Sequence, residues 1–135
     1  MGRISPMLSY EDVAAAADWL VEAFGFEEVQ RFADESGVVS HCVLRLGGDE
    51  LHLGDPGHGY VGPRRHAEAC AEARRWRESP YIVDGVLAYV DDLDAHFERA
   101  KAAGAAILTE PEGGGAGRQY RVEDVEGHRF MFAQA

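Results

Sequence analysis

One pattern occurs twice in this chain and constrains its fold more than any other feature: SYEDVAAAADWLVEAFGF from Ser9 to Phe26, and YVDDLDAHFERAKAAGA from Tyr89 to Ala105. Each copy leads from a strand through an Asp-containing turn into an amphipathic helix and leaves by a glycine. The copies lie roughly 80 residues apart, the mark of one duplicated supersecondary unit, whereas a solenoid would need three or more shorter repeats. Two copies of one unit commonly build a single cleft.

The flanking residues extend each copy in the same way. Ile4–Tyr10 is predicted as a strand interrupted by Pro6, which suits an edge or a strand start. Asp12 caps a helix whose apolar stripe is Val13, Ala16, Ala17, Leu20, Val21 and Phe24, and Gly25 ends it. Strands are then predicted at Glu27–Ala33, Val38–Leu46 and Glu50–Leu53, completing a βαβββ unit. The second copy has a strand at Ile82–Val90 and a helix capped by Asp92, with Leu93, Phe97 and Ala100 on its apolar face and Gly104 at its end. Strands at Ala105–Leu108, Tyr120–Glu123 and Arg129–Ala133 follow, with a glycine-rich loop from Glu112 to Gly117.

These elements define an α+β chain: tandem βαβββ modules in a mixed sheet, one helix per half. A length of 135 residues fits one domain, with module one at about 1–54, a connector at about 55–80 and module two at about 81–135. The connector is too long for an ordinary loop, and its HAEACAEARRWR stretch is built of helix formers and predicts an extra helix. It is locally basic through Arg64, Arg65, Arg74, Arg75 and Arg77. Either it is a solvated helix with pairs such as Glu68–Arg75 or Glu72–Arg75, or it is a lid or dimer arm.

A formal net charge of −11 argues against nucleic acid or an anionic membrane as partner. It serves solubility, or it favours a cationic ligand. Cys42 and Cys70 have no CxxC or zinc-finger spacing and read as free thiols in a reducing cytoplasm. Nothing in the sequence points to secretion or membrane insertion. There is no GxSxG elbow, Cys42 has no evident base, and Gly113–Gly117 matches neither a Walker A nor a dinucleotide fingerprint.

The paired units, together with YRVEDVEGHRFMF at Tyr120–Phe132 and its E-D-x-x-G-H run, resemble the vicinal oxygen chelate superfamily, which includes glyoxalase I, extradiol dioxygenases, fosfomycin-resistance enzymes and bleomycin-binding resistance proteins. The resemblance implies two modules curled into an incomplete barrel around a concave cleft, often completed across a homodimer. It also implies metal ligands, His or Glu, on the first and last strands of each module. The matching positions are Ser5, His52, Gly85 and Met131, of which only His52 is an ordinary ligand for the hard or borderline cations involved. No metal and no cofactor are therefore expected, although a site combining His41 and His52 with a residue of the dimer mate stays open.

Strand alternation carried from those positions turns Met7, His41, Arg45, His52, Leu87, Tyr89, Gln119, Arg121 and Met131 into the cleft. It packs Val86, Ala88, Val90, Phe130 and Phe132 under the helices. Tyr60 and Trp76 in the connector, with Tyr81 beyond it, either close the mouth or, for Trp76, anchor the connector helix. His58, His66, His96 and His128 read as surface or structurally satisfied residues. The lining suits a planar amphiphilic molecule. The expectation is a metal-independent, cytoplasmic homodimer that sequesters an aromatic or cationic antibiotic-like compound, for drug resistance or self-resistance, without catalysis. Two other readings remain: a lyase, isomerase or dioxygenase using a non-standard metal site or acid–base work by His52 and Arg121, and an interaction protein with a vestigial cleft.

Overall fold

The duplication in the sequence is a duplication in space. A computed structural model describes residues 2–113 and 117–135, so the middle of the expected Glu112–Gly117 loop lies outside the described residues. The elements run β1 (Met7–Ser9), α1 (Val13–Phe24), β2 (Glu27–Ala33), β3 (Val39–Leu46), β4 (Asp49–Gly54), α2 (Pro63–Ala69), α3 (Ala71–Arg77), β5 (Gly85–Val90), α4 (Leu93–Ala102), β6 (Ala106–Glu112), β7 (Gln119–Glu123) and β8 (Arg129–Gln134). They form two four-stranded sheets of identical topology, β1-β4-β3-β2 and β5-β8-β7-β6. In each sheet the first strand pairs parallel with the last and the other pairings are antiparallel. The chain divides into two compact units, Met1–Gly62 and Pro63–Ala135, and the connector helices belong to the second.

In the first unit, Asp12 has extended backbone angles and its carboxylate accepts from the Ala15 N–H at 3.0 Å, satisfying a donor that the first helical turn leaves open. Gly25 ends α1 in the left-handed region, φ 78°, which a side chain would disfavour. Between them Val13, Ala16, Ala17, Leu20, Ala23 and Phe24 form the buried stripe. It packs on the inward positions of β3 and β4: Cys42, Leu44, Leu51 and Leu53 are all buried.

The second unit repeats the device. Asp92 accepts from the Ala95 N–H at 3.1 Å, and Gly104 takes the positive φ just beyond α4. Leu93, Phe97 and Ala100 meet Tyr120, Val122, Phe130 and Phe132 in the core. His96 shares a hydrogen bond with the Tyr120 hydroxyl at 2.7 Å, its ring 4.1 Å from that of Phe132. It is a satisfied structural histidine, and burial pushes the Tyr120 phenol pKa up.

Several boundaries differ from the sequence reading. β1 begins only after Pro6, whose carbonyl accepts from the His52 N–H at 3.0 Å, so Ser5 precedes the strand. β5 begins at Gly85, not Ile82, and β6 runs on through Pro111, which an edge strand tolerates. The connector is two short helices, broken at Cys70 with φ −130° and ψ 111°. A single straight helix would hold Arg64 and Arg77 roughly 20 Å apart along its axis. Both instead reach the same carboxylate, Glu123, and the bent path allows it.

Candidate functional site

Pairing register fixes which side chains share a face. On the first sheet Met7 pairs with His52, Val43 with His52, His41 with Gly54 and Arg45 with Glu50, so Met7, His41, Arg45 and His52 lie on one face, opposite the buried Cys42 and Leu44. His41 Nε2 is 3.1 Å from His52 Nδ1, one nitrogen donating and the other accepting. Beyond it His52 Nε2 lies 3.7 Å from Glu50 Oε1, which in turn accepts from Arg3 at 3.1 Å. Phe32 closes the other end, its ring edge-on to His41 at 5.6 Å. Arg45 is occupied by Glu27 at 3.4 Å. The polar groups of this face are thus spent largely on one another.

The second sheet presents a different surface. Leu87 pairs with Met131, Tyr89 with Ala133, Arg121 with Met131 and Gln119 with Ala133, placing Leu87, Tyr89, Gln119, Arg121 and Met131 on a common face. Phe130 and Phe132 are buried on the other. Leu87 is 48% and Tyr89 60% exposed, large apolar groups left in the open. A cavity of about 110 Å³ lies at one end, lined by Pro80, Gly85, Leu87, Arg121, Arg129 and Met131 among others. Its floor is tight, since a Cβ on Gly85 would stand 2.7 Å from the Arg129 carbonyl oxygen.

The same face ends in a cluster that sequence reasoning did not single out. Glu123, opposite Arg129 across the β7–β8 hairpin, accepts from Arg129 Nε at 3.0 Å, Arg77 at 2.6 Å and Arg64 at 3.4 Å. Arg64 also donates to the Val125 and Asp124 carbonyls, Arg77 to that of Gly127, and Arg129 to those of Ser79 and Arg77. Burial is the main influence on Arg77 and pulls its pKa down, against the opposing pull of Glu123. These contacts fasten α2 and α3 to the hairpin beside a cavity of about 590 Å³. The legible signal was the Glu and Arg that flank a short turn between paired strands.

Other sequence expectations change. Arg75 lies over the Trp76 ring at 5.0 Å rather than pairing with Glu68 or Glu72, and Arg74 donates to the Ala67 carbonyl. Trp76 is 47% exposed and α3 buries no residue, so this indole does not anchor the helix. Tyr60 sits half-buried in the loop after β4, its N–H donating to the Gly57 carbonyl. The partners of His52 and Met131 on the parallel first strands are Met7 and Leu87; Ser5 is outside β1, and Gly85 pairs with Arg129. Neither parallel pair supplies more than one nitrogen or oxygen ligand, which does not fit a hard divalent cation. Among the described residues no group of three or more His, Cys, Asp or Glu side chains is gathered to hold a metal. Cys42 is fully buried, and desolvation raises its thiol pKa, the wrong direction for a nucleophile.

Two βαβββ modules with parallel first and last strands define a class, and comparison with known proteins gives its name. The chain belongs to the glyoxalase/bleomycin resistance protein/dioxygenase superfamily, whose model matches residues 3–132. It is similar to the crystal structure of TioX from Micromonospora sp. ML1, with 32% identity and a TM-score of 0.72 over 99% of this chain and 98% of that one. An uncharacterised protein of Mycobacterium bovis is 30% identical over 97% of this chain and 82% of its own length. TnmS3, an antibiotic binding protein from Streptomyces sp. CB03234, shares the fold at 22% identity and a TM-score of 0.65, covering 98% of this chain and 95% of that one.

Proposed function

We propose that this chain is a metal-independent binding protein that sequesters an aromatic, antibiotic-like compound by stacking and shape, conferring resistance without turnover. The observation that carries the reading is the exposed pair Leu87 and Tyr89 beside Met131, an apolar wall with a polar margin at Gln119 and Arg121. Its family membership, and the fold shared with an antibiotic binding protein, support the same direction. The cationic ligand that net charge invites is less well served, because Glu50 and Glu123 are already engaged by arginines. The functional form is a homodimer in the cytoplasm, in which a second copy covers exposed sheet edges. A light-scattering mass of one protomer across micromolar concentrations would remove that part.

One observation favours a second reading. The His41–His52 pair beside Glu50 is arranged for proton transfer, as an enzyme of this fold would need. Calorimetric titration with a panel of planar aromatic antibiotics, with product detection by mass spectrometry, separates the two. Under sequestration, Tyr89→Ala weakens binding by about 1 kcal/mol or more. Trp76→Ala does the same if the indole reaches the ligand, and His52→Ala costs at most one hydrogen bond, about 1 kcal/mol. Conversion of the compound that vanishes in His52→Ala would sink the sequestration reading.

A further inference from the structure

Arg121 stands out among the cations of the chain. Its N–H donates to the Thr109 hydroxyl at 2.9 Å, yet its guanidinium has no carboxylate, carbonyl or ring partner among the described residues. Elsewhere the guanidiniums of Arg3, Arg31, Arg45, Arg64, Arg77 and Arg129 each meet a carboxylate. A guanidinium carries five N–H donors in a planar fork that matches a carboxylate. Arg121 lines the 110 Å³ cavity together with Leu87, Met131 and Arg129.

The surroundings favour an anion. Arg64, Arg77 and Arg129 share the carboxylate of Glu123, and the small cavity is lined by Arg121 and Arg129 with no Asp or Glu among its described lining residues. The acids of the neighbouring strand, Glu110 and Glu112, are solvent-exposed on the outer strand β6. Gln119 Oε1, two residues along β7 on the same face, is buried without a hydrogen-bond partner among the described residues; as an acceptor it would take an N–H or O–H of the ligand, not its acidic group. The cavity is well below the several hundred Å³ of a site that encloses a drug-sized molecule. It therefore seats one polar end, and the remainder lies across Leu87 and Tyr89.

We propose that Arg121 anchors an acidic group of the ligand, so that the bound compound is an aromatic acid, carboxylate or ionised phenol, rather than a cation. The inference rests on the binding reading given above and names the chemistry of its ligand. It also assigns the margin of the site: β7 supplies the polar edge, through Arg121 and Gln119, and β5 with β8 supplies the stacking wall.

The test uses three probes of one shape, 2-naphthoate, 2-naphthamide and 2-naphthylmethylammonium, titrated calorimetrically into the full chain near neutral pH. A charge-assisted hydrogen bond to a partly buried guanidinium implies at least about a tenfold preference for the naphthoate over the amide, with the ammonium weakest. Arg121→Gln should reduce naphthoate binding to the level of the amide and leave amide binding unchanged, and Arg121→Lys should restore part of the difference. Because the guanidinium has no protein partner, an unchanged melting temperature in Arg121→Gln establishes that the fold is intact. Equal affinities for naphthoate and naphthamide, or a preference that survives in Arg121→Gln, would overturn the acid anchor while leaving a stacking site. Saturation by none of the three up to about millimolar concentration, the weak limit of useful affinity, would overturn the binding reading as well.

Discussion

The two modules share a topology, a cap and a register, but their exposed sheet faces are chemically unlike. On the first, His41, His52, Glu50 and Arg3 form a contact chain in which each polar group already has a neighbour. On the second, polar groups gather into a buried knot at Glu123 and leave Leu87, Tyr89 and Arg121 open. Duplication preserved what holds a βαβββ unit together, the helix stripe and its caps. The faces turned away from the helices carry no such constraint, and a binding surface can develop on one of them independently.

The strongest way to break this comparison is to remove the acid from each face. Glu123→Gln leaves three guanidiniums without their carboxylate, Arg129 itself only 5% exposed, and is expected to destabilise the chain by about 3 kcal/mol or more in urea unfolding. Glu50→Gln breaks a pair whose Arg3 side chain is 74% exposed, and should cost about 1 kcal/mol or less. Equal losses would mean that the two faces are organised alike after all.

Glycine gives a second contrast of smaller size. A methyl group on Gly85 would meet the Arg129 backbone at 2.7 Å, so Gly85→Ala must push β5 away from β8, at a cost of about 2 kcal/mol. At Gly54 on β4 the nearest atom is a ring nitrogen of His41 at 4.0 Å, ordinary contact, and Gly54→Ala should lie within about 0.5 kcal/mol of the parent. A costly Gly54→Ala with a harmless Gly85→Ala would invert the assignment of the tight site to the second sheet.

How much of this was legible depended on how local the cause was. The caps Asp12 and Asp92 and the α1 and α4 stripes follow from neighbours a few residues apart, and the structure has them where the sequence placed them, except that Ala23 is buried in α1 and the expected Val21 is half-buried. Strand alternation is equally local, which is why Leu87, Tyr89, Gln119, Arg121 and Met131 share a face as expected. It was less informative along β6, where register shifts at Ile107/Thr109 and Thr109/Glu112 interrupt the period. The break at Cys70 and the Glu123 cluster arise from contacts 46 to 59 residues apart, for which a window along HAEACAEARRWR holds no information. Trp76 failed as an anchor for the same reason, since whether an indole on a short helix finds a surface is decided by where that helix lies.

The smallest predicted effect tests the feature that the modules share. Asp12 and Asp92 have nearly the same geometry, φ −132° and ψ 95° against φ −130° and ψ 94°, so Asp→Ala at either should cost about 1 kcal/mol. The helices differ in their charges: α4 has Asp94 in its first turn and Arg99 and Lys101 in its last, whereas α1 has neither an acid in the first turn nor a base in the last. Asn in place of the cap keeps the hydrogen-bond acceptor and removes the charge. Asp12→Asn should therefore cost a few tenths of a kcal/mol through the lost interaction with the helix dipole, and Asp92→Asn less, because Asp94 still places a negative charge at that end. Hydrogen exchange at the Ala15 and Ala95 amides, the donors to the two caps, reads each helix separately. A larger loss at Asp92 than at Asp12 would mean that neighbouring charge does not compensate for the cap, and that hydrogen bonding alone makes the two helix starts equivalent.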